Sequence, residues 1–257
     1  METAFRDSFL SCWRKYFGGV DLPITFEYVS DLHDTEIAKS AVETRCFIAA
    51  LNDVRSGKSL AFAASSFGCM GGKHYCGYSP HLRSGIAEFL SHDEQGEGER
   101  YKKNPEIAAE VVSRAPRFDA PAPFLLCKRW DKLTEADDPA VVVFFAAPDV
   151  LSGLFTLAGY DEPEPQGAVM IPFAAGCGTI VRYPFVELKS ENPRAVLGMF
   201  DVSARPHVPA GTLTFAVPLP RFRRMVANMD ESFLITDSWK KVRQRLATEK
   251  ATSSGQE

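Results

Sequence analysis

The residues best suited to chemistry in this chain are cysteines, at positions 12, 46, 69, 76, 127 and 177. Two of these positions have unusual neighbours. The stretch Leu60 to Tyr78 runs from an apolar strand into Gly68-Cys69-Met70-Gly71-Gly72-Lys73-His74-Tyr75-Cys76. This reads as a glycine-rich turn presenting two sulfurs, an imidazole and backbone N–H groups. A second turn, Gly176-Cys177-Gly178, repeats the glycine-flanked thiol. Core packing does not need glycine on both sides of a cysteine, whereas a turn that faces a ligand does. Sulfur and imidazole together can ligate a soft metal. The same Cys69, ionised with His74 as a base, would be a nucleophile, with the turn amides holding an anion. Cys12 and Cys127 lie on apolar faces and read as small core residues, with Cys46 intermediate between core and site.

Other patterns carry less. Gly57-Lys58-Ser59 has the ending of a phosphate-binding loop, but Asn52 stands where its first glycine belongs, and the segment joins a helix to a strand, the reverse of the required order. The glycine fingerprint of dinucleotide sites, the paired histidines of zinc proteases and the nucleophile elbow of hydrolases are all missing. No two cysteines have the Cys-x-x-Cys spacing of a zinc ribbon. Arg205, between two strands, is a candidate to meet a carboxylate or phosphate. His207, between prolines, reads as structural. The acidic patches near 92–99 and 135–138 read as solvated loops.

The elements that must position these residues follow from hydrophobic period. Phe5, Phe9, Trp13, Tyr16 and Phe17 recur at helical steps, and Gly18-Gly19 is a natural stop, so residues 3–17 are predicted to be an amphipathic helix. Ile24 to Val29 alternates as a half-buried strand. Residues 35–55 read as a helix with Ile37, Ala41, Ile48 and Leu51 inward. A short helix is expected within 84–91, an exposed loop over 92–103, and a helix capped by Asn104 with Pro105 at its first position. Phe124 to Cys127 is a short apolar run. Ala140 to Ala147 is apolar throughout, as in a strand buried on both faces, and Pro148 opens a helix ending near Gly159. Val169 to Ala174, Ala195 to Phe200 and Thr212 to Val217 are further strands. A helix carries Phe222, Met225, Val226 and Met229, and a last one Trp239, Val242 and Leu246. Phe62-Ala-Ala, Phe145-Ala-Ala, Phe173-Ala-Ala and Phe215-Ala-Val each close a strand. If that echo is structural, the two cysteine turns share one edge of one sheet.

With 257 residues, 45% of them hydrophobic, the chain has material for one large core or two small ones. A formal net charge of −4 argues against a nucleic-acid partner. No run approaches the ~20 apolar residues of a membrane span. The start, Met1-Glu-Thr-Ala-Phe-Arg-Asp7, is acidic where a signal peptide would be basic, so a cytoplasmic location with reduced thiols is expected.

Six segments in order resemble the bacterial and archaeal family called domain of unknown function 169, once labelled archaeal cysteine-rich. They are Arg45-Cys46 on a helix closing at Gly57, the strand into Cys69-Met70-Gly71-Gly72, Pro139 to Pro148, the Cys177 turn, Leu197-Gly198 through Arg205, and Phe215 to Pro218. The resemblance spans about residues 20 to 230 and implies a shared cysteine site for an iron–sulfur cluster or other soft metal. Cys46, Cys69 and Cys177 match. The family's fourth cysteine is Met199 here, following Gly198, and a thioether is a poorer iron ligand than a thiolate, which leaves Cys76 as the substitute.

The expectation is an α+β protein, a single mixed sheet covered by helices. One domain covers 1–250, with its core at 20–230 and a disordered tail at 251–257. Its site binds a soft metal, an iron–sulfur centre or a small cofactor through Cys46, Cys69, Cys76 and Cys177. Gly71 and Gly72 offer N–H groups to the sulfurs and Arg205 neutralises charge. Its partners are then a small molecule or metal and a redox protein, with no nucleic acid and no membrane. A thiol-dependent enzyme or anion-binding module using Cys69, or a non-catalytic interaction domain, are the rival readings.

Overall fold

A computed structural model describes residues 1–32, 37 and 46–253. The alternating segment at 24–29 and the apolar runs become seven strands of one sheet among those residues: β1 Ile24–Val29, β2 Leu60–Phe62, β3 Phe124–Arg129, β4 Val141–Ala146, β5 Val169–Met170, β6 Ala195–Gly198 and β7 Leu213–Pro218. Their order is β2-β3-β1-β4-β7-β6-β5, antiparallel throughout except for the parallel β5–β6 pair. The sheet is therefore mixed and the fold is α+β.

Alternation along the central strands sorts side chains into two cores. Val142, Phe144, Phe215 and Val217 join one cluster, while Val141, Val143 and Ala216 join the other. Being apolar on both faces, β4 and β7 require cover on both sides. On the first face lie α1 (Thr3–Phe17), α6 (Pro148–Ala158), α8 (Leu219–Asn228) and α9 (Asp237–Ser253). Phe9 and Trp13 of α1 anchor it, with the Phe9 ring 4.9 Å from Trp130 and 5.0 Å from Phe222, edge to face. Such pairs add about 0.5–1.5 kcal/mol each beyond the area they bury. On the second face lie α2 (Phe47–Arg55), α3 (Met70–Tyr75) and a helix over 176–187, here α7. Short α4 (Ile86–Leu90) and α5 (Pro105–Arg114) flank this side, α5 opening as its sequence predicts with the Asn104 side chain accepting from the Ile107 N–H.

Several expectations are modified. The glycine-rich turn after β2 is the helix α3. The strand expected over 169–174 stops at Met170, and the Gly176-Cys177-Gly178 turn opens α7. The two cysteine segments do not share a sheet edge: β2 and β5 are the opposite edges. Ala41 and Arg45 lie outside the described residues. The last helix continues through Ser253, beyond the expected start of the tail, and residues 254–257 lie outside the described ones. No helix among the described residues is long and apolar enough to cross a membrane.

The acidic patch at 135–138 is not all solvated. Asp137 is buried, taking Lys128 Nζ at 2.6 Å and both donors of Thr134. Beside it Glu27 of β1 is buried and accepts the Asp138 N–H at 2.8 Å. Burial, with the Asp137 charge adding, pushes the Glu27 carboxyl up to about 7. A carboxyl whose folded pKa is raised stabilises the fold fully below its unfolded value and loses that contribution as pH rises through about 7. Glu27→Gln should therefore melt a few degrees above the parent at about pH 8, the gap closing towards about pH 4. Thermal denaturation across that range checks it.

Candidate functional site

The cysteines that matter stand at helix starts. Cys46 is the N-cap of α2, Cys69 the N-cap of α3, and Cys177 lies in the first turn of α7. These three elements come from distant parts of the chain and from opposite sheet edges. They converge on one cavity of about 560 Å³, which all three cysteines line. That volume lies within the roughly 300–1,000 Å³ of small-molecule sites. Its walls are mostly apolar, including Ile48, Met70, Ile86, Phe89, Phe173 and Phe200, with Tyr75, Tyr101 and Thr179 as polar points. Phe173, Phe200 and Val202 are each more than half exposed, so apolar side chains also form the rim.

Local packing explains the glycines. A side chain on Gly72 would press on the ring of Phe67, 3.3 Å away, and touch the Cβ of Phe47. A Cβ on Gly71 would meet only the Cys69 sulfur, at an ordinary contact distance of 3.6 Å. Gly178 admits the ring of Tyr75, leaving only 3.0 Å for a Cβ. Gly198 on β6 lies against Thr179, where a Cβ would fall 2.3 Å from its hydroxyl oxygen.

The course of α7 is set by a proline. Pro184 has no N–H to donate and would clash with a regular turn before it. The chain answers with a π turn over Gly178–Arg182, in which the Tyr183 N–H bonds the Gly178 carbonyl. Two side chains tie this helix down. Asp201 caps its start, accepting the Gly176 N–H at 3.0 Å while its other oxygen takes the N–H and hydroxyl of Ser203. Arg182, buried, donates to the His74 carbonyl at 2.7 Å and lies 4.7 Å from the Tyr75 ring centre. Its positive charge thus stands at the C-terminal end of α3, so α3 and α7 are fastened to each other.

The expected site residues separate clearly. Cys46, Cys69, Cys177, Gly71 and Gly72 are on the cavity wall; Cys76, Arg205 and His74 are not. Cys76 is fully buried in the core cluster, where burial holds its thiol well above the usual range. Arg205 turns its guanidinium to the Thr212 carbonyl. His74 engages the Ser79 carbonyl at 2.8 Å, and burial lowers its pKa. Met199 is also fully buried, its backbone in the left-handed region at φ 69°, with its sulfur behind Gly176 rather than on the wall. Among the described residues no three His, Cys, Asp or Glu side chains are grouped as a ready metal cage. The three wall cysteines differ in state. Cys69 is exposed, Cys46 half-buried and Cys177 buried. Burial raises the Cys177 thiol well above its usual pKa, and the charges of Cys76, Cys46, Cys69 and Asp201 add to the effect.

Asp201, Tyr75, Tyr101 and Phe200 were not singled out from sequence. Only Asp201 had a local signal, an Asp followed two residues later by Ser, which favours an Asx turn.

The family model of DUF169, described as uncharacterised ArCR, matches residues 21–228. The chain belongs to this family. The match runs from just before β1 to the end of α8, so it takes in the whole sheet and every cavity segment. No curated protein and no solved structure matches significantly.

Two outcomes follow for this DUF169 protein. Brief alkylation with iodoacetamide followed by peptide mass spectrometry should label Cys69 first and Cys46 more slowly, leaving Cys76, Cys127 and Cys177 largely unmodified until denaturant is added. Gly198→Ala should lose about 1–3 kcal/mol in a urea melt, because the added methyl must displace Thr179 and with it the π turn.

Proposed function

We propose that this protein binds a cofactor-sized ligand in the thiol-lined cavity, and that the ligand is one thiolates hold: an iron–sulfur cluster or another soft-metal centre. The observation that carries this reading is the convergence of Cys46, Cys69 and Cys177, from three separate helix starts, on one cavity wall. Thiolates are the ligands of choice for such centres, and binding would draw the proton from each. The donor set is soft, but it is not closed into a cage, so the three sulfurs would have to draw together on binding. Redox work with a protein partner would follow from such a centre. None of the six cysteines forms a disulfide, which supports a reducing, cytoplasmic setting. The net charge of −4 favours a small ligand over nucleic acid.

The exposure of Cys69 favours a second reading, in which this thiol attacks a substrate bound in the cavity. His74 is not its base in this arrangement, since the imidazole is held by Ser79.

Anaerobic purification with an absorption spectrum and metal analysis distinguishes the two. The expected outcome is visible absorbance with bound metal, lost in Cys46→Ser, Cys69→Ser and Cys177→Ser but retained in Cys76→Ser. A colourless, metal-free protein whose Cys69 alone reacts rapidly with a thiol reagent would move the assignment to the nucleophile.

A further inference from the structure

The mouth of the cavity carries positive charge that no carboxylate among the described residues neutralises. Arg83 is on the wall, with its guanidinium 4.1 Å from the centre of the Phe89 ring, which lines the same cavity. Lys102 places its ammonium 3.5 Å from the centre of the Phe173 ring, also on the wall. Neither cation has a carboxylate partner among the described residues. Asp201, the acid on the wall, already spends both oxygens on Gly176 and Ser203.

A guanidinium laid over an aromatic ring is held in place through its face. Arg83 has no hydrogen bond or ion pair among the described residues, and a guanidinium's N–H groups match the two oxygens of a carboxylate. The rest of the mouth is apolar, with Phe200 and Val202 exposed around it. Water would leave such surface readily, but only for a ligand whose body is apolar.

We infer that the cavity mouth binds an organic carboxylate with an apolar body, its anionic end on Arg83 and Lys102 and its body among Phe89, Phe173 and Phe200. This rests on the cavity being a binding site, as proposed above, and adds the class of molecule presented to the thiols. It does not depend on a metal being held there.

Calorimetric titration of the full chain with 2-naphthoate and decanoate, each paired with its neutral amide, tests the inference. At least one carboxylate should bind one equivalent, about tenfold or more tighter than its amide. Arg83→Gln should abolish that preference, Arg83→Lys should retain part of it, and Lys102→Gln should reduce it less than Arg83→Gln. Arg83 is exposed, so its variants should fold as the parent does, which circular dichroism checks. Equal binding of acid and amide would overturn the inference. So would a preference that survives the Arg83→Gln/Lys102→Gln double variant, or failure of both carboxylates to bind. The same titration on a Cys46→Ser/Cys69→Ser/Cys177→Ser protein separates the two proposals. An acid preference kept by that variant shows that carboxylate binding does not need the thiols, and a parent that itself purifies metal-free and keeps the preference removes the soft-metal reading and leaves this one standing. A metal-loaded parent indifferent to charge does the reverse.

Discussion

The constraint on which the rest of the structure depends is the burial of β4 and β7 on both faces. Val141, Val142, Val143, Ala216 and Val217 are all without solvent exposure, so neither face of the sheet centre can be left to water. One face is closed by the aromatic packing of α1 with Trp130, Phe144 and Phe222. The other must be covered by what remains, which is α2, α3 and α7. Those helices enter from opposite ends of the sheet. Covering the same centre brings their N-terminal ends together, and each start carries a cysteine.

That convergence would leave a filled core if the helices could settle fully onto one another. They are instead fastened at other points. The π turn forced by Pro184 sets the path of α7, Asp201 holds its first turn, and Arg182 fixes its distance from the far end of α3. A hydrogen bond to a charged group is worth about 1.5–3 kcal/mol, so slippage that broke the Arg182 bond would leave a buried charge with one fewer partner. Glycines at 72, 176 and 178 keep the walls thin where the segments meet. The cavity persists because its walls are braced away from it.

The result is a graded interior. At the buried end desolvation holds Cys177 as a neutral thiol, with the Asp201 carboxylate adding to the effect. At the exposed end stand Cys69, a ring of apolar side chains, and two cations backed by aromatic rings. Met199, where the resemblance implied a fourth sulfur ligand, supports the back of this wall from a left-handed backbone conformation that costs on the order of 1–3 kcal/mol. Its role in the structure is to pack against Gly176.

Much of this protein is determined by sequence alone. The apolar period sets α1 at residues 3–17 and β1 at 24–29, because alternation and helical spacing are local properties that burial merely confirms. The unbroken apolar run at 141–146 already demands cover on both faces, and Asn104-Pro105 caps its helix without outside help. The glycine-flanked cysteines at 69 and 177 are both on the cavity wall. What the sequence did not decide is where each segment's far contacts lie. Cys69 and Cys177 looked like neighbours on one edge, yet their strands are at opposite edges and they meet across the face. Arg205 was the residue noticed in its segment, while Asp201, four places earlier, is on the cavity wall. Lys128 and Asp137 are nine apart in sequence, but only the sheet buries them together beside Glu27. Periodicity records which face of an element is apolar; which faces then meet is settled by burying all of them at once, and that is a property of the tertiary structure.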